Sequence, residues 1–174
     1  MPHLSPIKQY QHDLKNSGFT HDTAQETAVK HLQALFEKLV EAEKNQKQGR
    51  FAKIAAKVKR KKIAPIQGLY FWGGVGRGKT YLMDVFYESL PFERKMRVHF
   101  HRFMQRVHSE LAELEGRPNP LVDVAKRFSD EARVICFDEF FVTDIGDAMI
   151  LAGLMKELFA NGVSLVCTSN IVPD

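Results

Sequence analysis

Gly73-Gly74-Val75-Gly76-Arg77-Gly78-Lys79-Thr80 is a run in which every residue type suits a polyphosphate. Glycines permit backbone conformations that turn successive N–H groups inward around an anion. A helix opening near Lys79 directs its positive end at the same place. The Lys79 ammonium can reach the terminal phosphates, and the Thr80 hydroxyl can coordinate Mg²⁺. Gly73-x4-Gly78-Lys79-Thr80 matches the phosphate-binding loop pattern in full. The expected nucleotide-binding set is therefore Gly73, Gly74, Val75, Gly76, Arg77, Gly78, Lys79, Thr80 and the next residue, Tyr81.

A second constellation lies 59 residues beyond Lys79, where the apolar run Val134-Ile135-Cys136-Phe137 leads into Asp138 and Glu139. Adjacent carboxylates at a strand tip repel one another unless a cation is near, and a magnesium–nucleotide unit supplies that cation. Asp138 is expected to support Mg²⁺, and Glu139 to orient the attacking water or take its proton. Asn170 closes a further apolar strand and is expected to sense the γ-phosphate. No guanine-reading Asn-Lys-x-Asp occurs, and Asp138 is followed by Glu139-Phe140-Phe141 rather than by x-x-Gly. The acid pair makes water the acceptor, which implies ATP hydrolysis with ATP and Mg²⁺ as the bound species.

These residues need strand ends and helix starts to hold them. Ile66 to Trp72 reads as a short buried strand running into the glycine loop, and Leu82, Val85 and Phe86 begin a helix that ends near Leu90. Arg97 to Phe103 is expected as a second strand, with Phe103, Val107, Leu111 and Leu114 continuing at helical spacing. Leu121 to Phe128 reads as a further helix. Val134 to Phe137 suits a central parallel strand covered on both faces. Thr143 is the expected cap of a helix carrying Met149, Ile150, Leu154, Leu158 and Phe159, with Asp144 and Asp147 near its positive end. Val163 to Cys167 is a fourth strand. Upstream, Asp22 and Gln25 suggest a capping box for a helix with Ala28, Leu32, Leu35, Phe36 and Leu39 as its stripe, broken near Gln48 by Gly49. Strands alternating with helices predict an α/β fold of the P-loop NTPase class with right-handed crossovers. The expected division is a helical extension over residues 1–64 and a nucleotide-binding core over 65–174.

GLYFWGGVGRGKTYLMDVFY, RVHFHRFMQRVH and ICFDEFFVTDIGDAMILAGLMKELFANGVSLVCTSN together resemble the ZapE-like AAA+ ATPase family. Phosphate chemistry demands neither Val98-His99-Phe100-His101-Arg102-Phe103 nor Asp144-Ile145-Gly146-Asp147-Ala148-Met149, so these two segments weigh most. The resemblance implies a three-layer α/β/α core with sheet order 5-1-4-3-2. Strand four would then lie between the P-loop strand and the acidic strand. It also implies that the chain stops before the fifth strand, the arginine finger, the second sensor and a helical lid. Slow hydrolysis and weak nucleotide binding are then expected of these 174 residues alone. Cytoplasmic bacterial members act at the cell-division ring on FtsZ assemblies, so the implied partner is a protein, and the implied assembly is a homo-oligomer that lends the missing arginine.

The net charge of +4 is uneven: Lys44 to Lys62 holds nine basic residues and no acid, leaving 16 basic and 21 acidic residues elsewhere. Phe51, Ile54, Ala55 and Val58 give this segment the spacing of an amphipathic helix with a cationic face. Nucleic acid binding is possible but not favoured by the acidic balance of the rest. A nucleotide-gated binding module without turnover and a helicase-loader-like DNA-binding ATPase stay open as alternatives. No apolar run reaches the roughly 18 to 20 residues that span a bilayer. Cys136 and Cys167 are too few for a disulfide framework and suit a reducing cytosol. The N-terminal residues lack the look of a signal or transit peptide, which favours a cytoplasmic location. His99, His101 and His108 are expected as ordinary packed or solvated side chains, Phe140 and Phe141 as packing residues, and Arg102, Arg106 and Arg133 as helix and strand-edge charges.

Overall fold

Apolar runs bounded by turn residues become the strands, and runs with a period near 3.6 become the helices. The computed structural model describes residues 3–18, 20–53, 66–73 and 78–171. In chain order the elements are α1 (Pro6–Asn16), α2 (Thr23–Lys53), β1 (Leu69–Trp72), α3 (Lys79–Ser89), β2 (Lys95–His99), α4 (Phe100–Glu113), α5 (Pro120–Glu131), β3 (Val134–Asp138), α6 (Ile145–Ala160) and β4 (Ser164–Ser169). All strand pairs are parallel, in the order β1-β4-β3-β2. Strand four therefore lies between the strand leading to the glycine loop and the strand ending in the acids, as the resemblance implies. The fold is α/β with a parallel sheet.

Two units make up the chain: Met1–Lys62 with Thr80–Glu93, and Ile63–Lys79 with Arg94–Asp174. In the first, Pro6 opens α1 at a position where its missing N–H costs nothing. Helix α1 went unforeseen, although Ile7, Tyr10 and Leu14 after Ser5-Pro6 have helical spacing. The Asp22 carboxylate caps α2 by accepting the Ala24 N–H at 2.8 Å. Val29, Leu32, Leu35 and Leu39 form the buried stripe. The expected break at Gly49 does not occur, and α2 runs on to Lys53. A single interior glycine costs a helix only about 1 kcal/mol, and the glutamines, lysines and arginine around it are good helix formers. Ile54, Ala55 and Val58, the rest of the expected amphipathic helix, lie outside the described residues.

Tyr10 is 3% exposed, and its hydroxyl has no hydrogen-bond partner among the described residues. A buried, unsatisfied hydroxyl costs about 1–3 kcal/mol. Tyr10→Phe is thus expected to raise stability by roughly 1 kcal/mol in urea denaturation, and an equal loss would contradict the assignment. Tyr81 differs: its hydroxyl donates to Asp13 Oδ2 at 2.8 Å. Burial and that carboxylate together push the phenol well above its ordinary pKa.

In the second unit, α4, α5 and α6 pack through Phe103, Val107, Phe128 and Leu154 with Ile135, Phe137 and Leu165 of the sheet. Val134, Cys136 and Val166, on the other face, are also fully buried. β2 starts two residues earlier than expected and ends at His99, because Phe100, Phe103, Met104 and Val107 form a helical stripe that begins at Phe100. The α6 cap is Asp144 rather than Thr143, its carboxylate accepting the Asp147 N–H at 2.9 Å. Met149 and Phe159, expected on the apolar side of α6, are exposed, while Leu151, Leu154 and Leu158 are buried. Arg106 ties α4 to α5: it lies over the Phe128 ring and binds Glu131 at 2.5 Å, while it also pairs with Glu110 of its own helix at 2.7 Å. That pairing lowers the Glu131 pKa.

Candidate functional site

Parallel strands point the same way, so their carboxyl ends share one edge of the sheet, the usual ligand edge of open α/β folds. Trp72, the last residue of β1, pairs with Ser169, the last of β4. Phe137 of β3 pairs with Cys167 of β4, and Asp138 pairs with His99 of β2. Neighbouring strands lie about 4.8 Å apart. Gly73, Ser169-Asn170 and Asp138-Glu139 therefore follow one another along this edge, with β1 and β3 about 10 Å apart.

Gly73 (φ 149°) and Gly78 (φ 72°) adopt backbone conformations that disfavour side chains, at the two ends of the glycine run. Lys79 opens α3, and its ammonium reaches back to donate to the Gly73 carbonyl at 2.6 Å. Thr80 and Tyr81 follow in the first turn of that helix. Gly74, Val75, Gly76 and Arg77, also expected to bind nucleotide, lie outside the described residues.

Asp138 ends β3 half-buried, and both its oxygens accept from Arg97 of β2: Nε to Oδ2 at 2.8 Å and Nη2 to Oδ1 at 3.3 Å. The one signal for Arg97 in the sequence is its place between Met96 and Val98, where a partly buried cation asks for an acidic partner. Glu139 alone among the described non-glycine residues has a positive φ, at 54°. Such a left-handed residue costs roughly 1–2 kcal/mol and marks functional turns. The turn is pinned by the Phe140 N–H, which donates to the Thr168 carbonyl at 2.9 Å. It leaves the Glu139 side chain 80% exposed, with His99 Nδ1 3.8 Å from its carboxylate.

Asn170 is exposed just past β4. Its turn is held on the far side, where the Ile171 N–H donates to Ser169 Oγ at 3.1 Å and the Tyr70 hydroxyl donates to the Ile171 carbonyl at 3.2 Å. Phe140 packs against Phe100 with the rings tilted by 55° and their centroids 4.7 Å apart, whereas Phe141 is 55% exposed rather than packed. His99 and His101 do not share a strand face: one ends β2, and the other lies exposed in α4. Burial pushes the Cys167 thiol up to about 12 and the Cys136 thiol higher still, which removes both as nucleophiles at neutral pH.

The oxygen donors present suit a hard cation. Asp138 offers a carboxylate, and no cluster of three or more His, Cys, Asp or Glu residues occurs among the described residues. A single carboxylate of this kind fits a cation such as Mg²⁺, which keeps most of its waters, better than it fits an ion caged by protein alone. No helix among the described residues is long and apolar enough to cross a membrane.

The model of a family described as AFG1-like ATPase matches residues 4–174. Cell division protein ZapE of Escherichia coli (strain K12) is 50% identical over 179 residues, covering 100% of this chain and 48% of that protein. Lactation elevated protein 1 homolog B of Danio rerio is 46% identical over 121 residues, covering 63% of this chain and 24% of that protein. Among solved structures, AMPPCP-bound DnaA from Aquifex aeolicus is similar at a TM-score of 0.57 and 13% identity, over 88% of this chain and 40% of that one. At that identity the likeness is one of fold. The chain spans about half or less of the length of these two curated relatives.

Proposed function

Because this chain belongs to the AFG1-like ATPase family, we propose that it carries the ATP-binding and hydrolysing core of a Mg²⁺-dependent ATPase that does conformational work on a protein partner. The observation that supports this most is the order β1-β4-β3 with its register, which sets the Gly73 end, Asn170 and the Asp138-Glu139 pair along one edge. In this reading the glycine run and Lys79 bind the phosphates, with Arg77 and Tyr81 in the same nucleotide-binding set. Thr80 and Asp138 hold the magnesium side of the nucleotide. The bound metal supplies charge neutralisation at the β- and γ-phosphates. Glu139 orients water and takes its proton, helped by an exposed position within reach of solvent. Asn170 donates toward the terminal phosphate from the central strand.

Support for the role of Lys79 comes from its ammonium, which is turned onto the Gly73 carbonyl at 2.6 Å. Phosphate oxygens would replace that acceptor. Lys79→Ala in the full-length protein is expected to weaken ATP binding by at least about tenfold, the loss of one charge-assisted contact. Unchanged affinity by calorimetry, together with no ATP turnover by the parent protein, would end the reading.

The likeness to a cell division protein directs the search for the partner. We take it to be a component of the division apparatus in the cytoplasm, FtsZ assemblies first, worked on by a homo-oligomer. ATP-dependent change in FtsZ light scattering, absent with Lys79→Ala, tests that part separately.

A further inference from the structure

Arg97 has no place in the roles assigned above, yet it makes the closest contacts to Asp138. The β2–β3 register sets Arg97 opposite Cys136, so Asp138, two residues on, projects from the same face of the sheet. The guanidinium leans across that diagonal and takes both carboxylate oxygens in one planar fork, with 22% and 16% of the two side chains exposed. Such two-point, charge-assisted pairs are among the strongest hydrogen-bonded contacts a carboxylate makes. A dication that binds the same carboxylate competes with this fork for its lone pairs and brings a like charge beside the guanidinium.

We propose that Arg97 is a positioning residue that competes with Mg²⁺ for Asp138, holding the carboxylate while nucleotide is absent and yielding an oxygen when the magnesium–nucleotide unit docks. The proposal rests on the reading of Asp138 as the metal-side carboxylate. Its consequence is a threshold: the arginine raises the free Mg²⁺ level at which ATP is held, and leaves metal-free nucleotide binding alone. Metal coordination on the lone pairs that accept from Arg97 and retention of the intact fork exclude one another, so the two states are distinct arrangements of one pair.

The test is a Mg²⁺ titration of binding by a non-hydrolysable ATP analogue, with the full-length protein, beside a second binding measurement in EDTA. Arg97→Met is expected to lower the half-saturating Mg²⁺ concentration by about tenfold, with affinity in EDTA unchanged. Arg97→Lys keeps the charge but loses the fork, and is expected to give a smaller fall in the same direction. If Arg97→Met fails to fold, the lysine variant decides: a fall supports the competition, and no change overturns it. Asp138→Asn is run in parallel. If it leaves the titration unmoved, the metal role of Asp138 fails and takes the proposal with it. If it abolishes the Mg²⁺ dependence while the Arg97 variants leave the titration unmoved or shift it upward, the competition alone is wrong.

Discussion

Glu139→Gln is expected to bind ATP as the parent does and to release phosphate about 10² to 10⁴ times more slowly, the usual contribution of a positioned general base. The amide has the size of the carboxylate but cannot take a proton. The structure makes this substitution unusually clean. The Glu139 side chain is 80% exposed, and His99 at 3.8 Å is its one ionic neighbour among the described residues. Glutamine inherits the same left-handed backbone at φ 54°, so the strain of the turn is unchanged and the melting temperature should be as well. Single-turnover phosphate release and equilibrium ATP binding, measured on the full-length protein, separate the two effects. Turnover within a few-fold of the parent would remove Glu139 from the proposed mechanism and leave a nucleotide-gated binding module as the better account.

Gly68→Ala is the second large effect, and it acts on folding. A Cβ built at Gly68 would lie 1.7 Å from the Leu165 carbonyl oxygen, 2.8 Å from its carbon and 3.1 Å from the Leu165 nitrogen. All three are backbone atoms of β4, a strand buried along its whole length, so no side chain can swing away. At Gly49 and Gly116, by contrast, the added atom meets nothing within 4 Å. Relief at Gly68 requires β1 to part from β4 at the foot of the ladder that sets Trp72 beside Ser169. A loss of at least about 4 kcal/mol is expected, enough to unfold a marginally stable domain. Urea denaturation and the far-ultraviolet spectrum check this, and a variant with parental stability would mean that β1 does not approach β4 as described.

How much of this was legible beforehand depended on the range of the interaction concerned. The glycine run, the acids after Phe137 and the four strands are legible because each is a local pattern in a fitting context, although β1 is shorter than Ile66–Trp72 and leaves Tyr70 and Trp72 exposed instead of buried. The end of β2 was misplaced because alternation from Arg97 to Phe103 and a helical stripe from Phe100 share residues, and the helix wins through burial of Phe100 and Phe103. Gly49 does not end α2, since one glycine costs less than the neighbouring turns of the helix supply. The cap of α6 moved from Thr143 to Asp144 because either residue can serve, and only the turn geometry chooses. The Arg97–Asp138 fork lay beyond reach: residues 41 apart meet only once β2 and β3 adopt their register. Met149 has the residue type of a core position, but its place on the first turns of α6 leaves it 73% exposed.

The two buried thiols have a practical side. Cys136 and Cys167 sit inside neighbouring strands, with burial suppressing their thiolate forms. Alkylating dyes react with thiolate, so the folded protein should be spectroscopically silent toward maleimides without any mutation of its native cysteines. A single cysteine introduced beside the sheet's ligand edge would then carry the only label, and its fluorescence would report nucleotide arrival in an otherwise unaltered sequence.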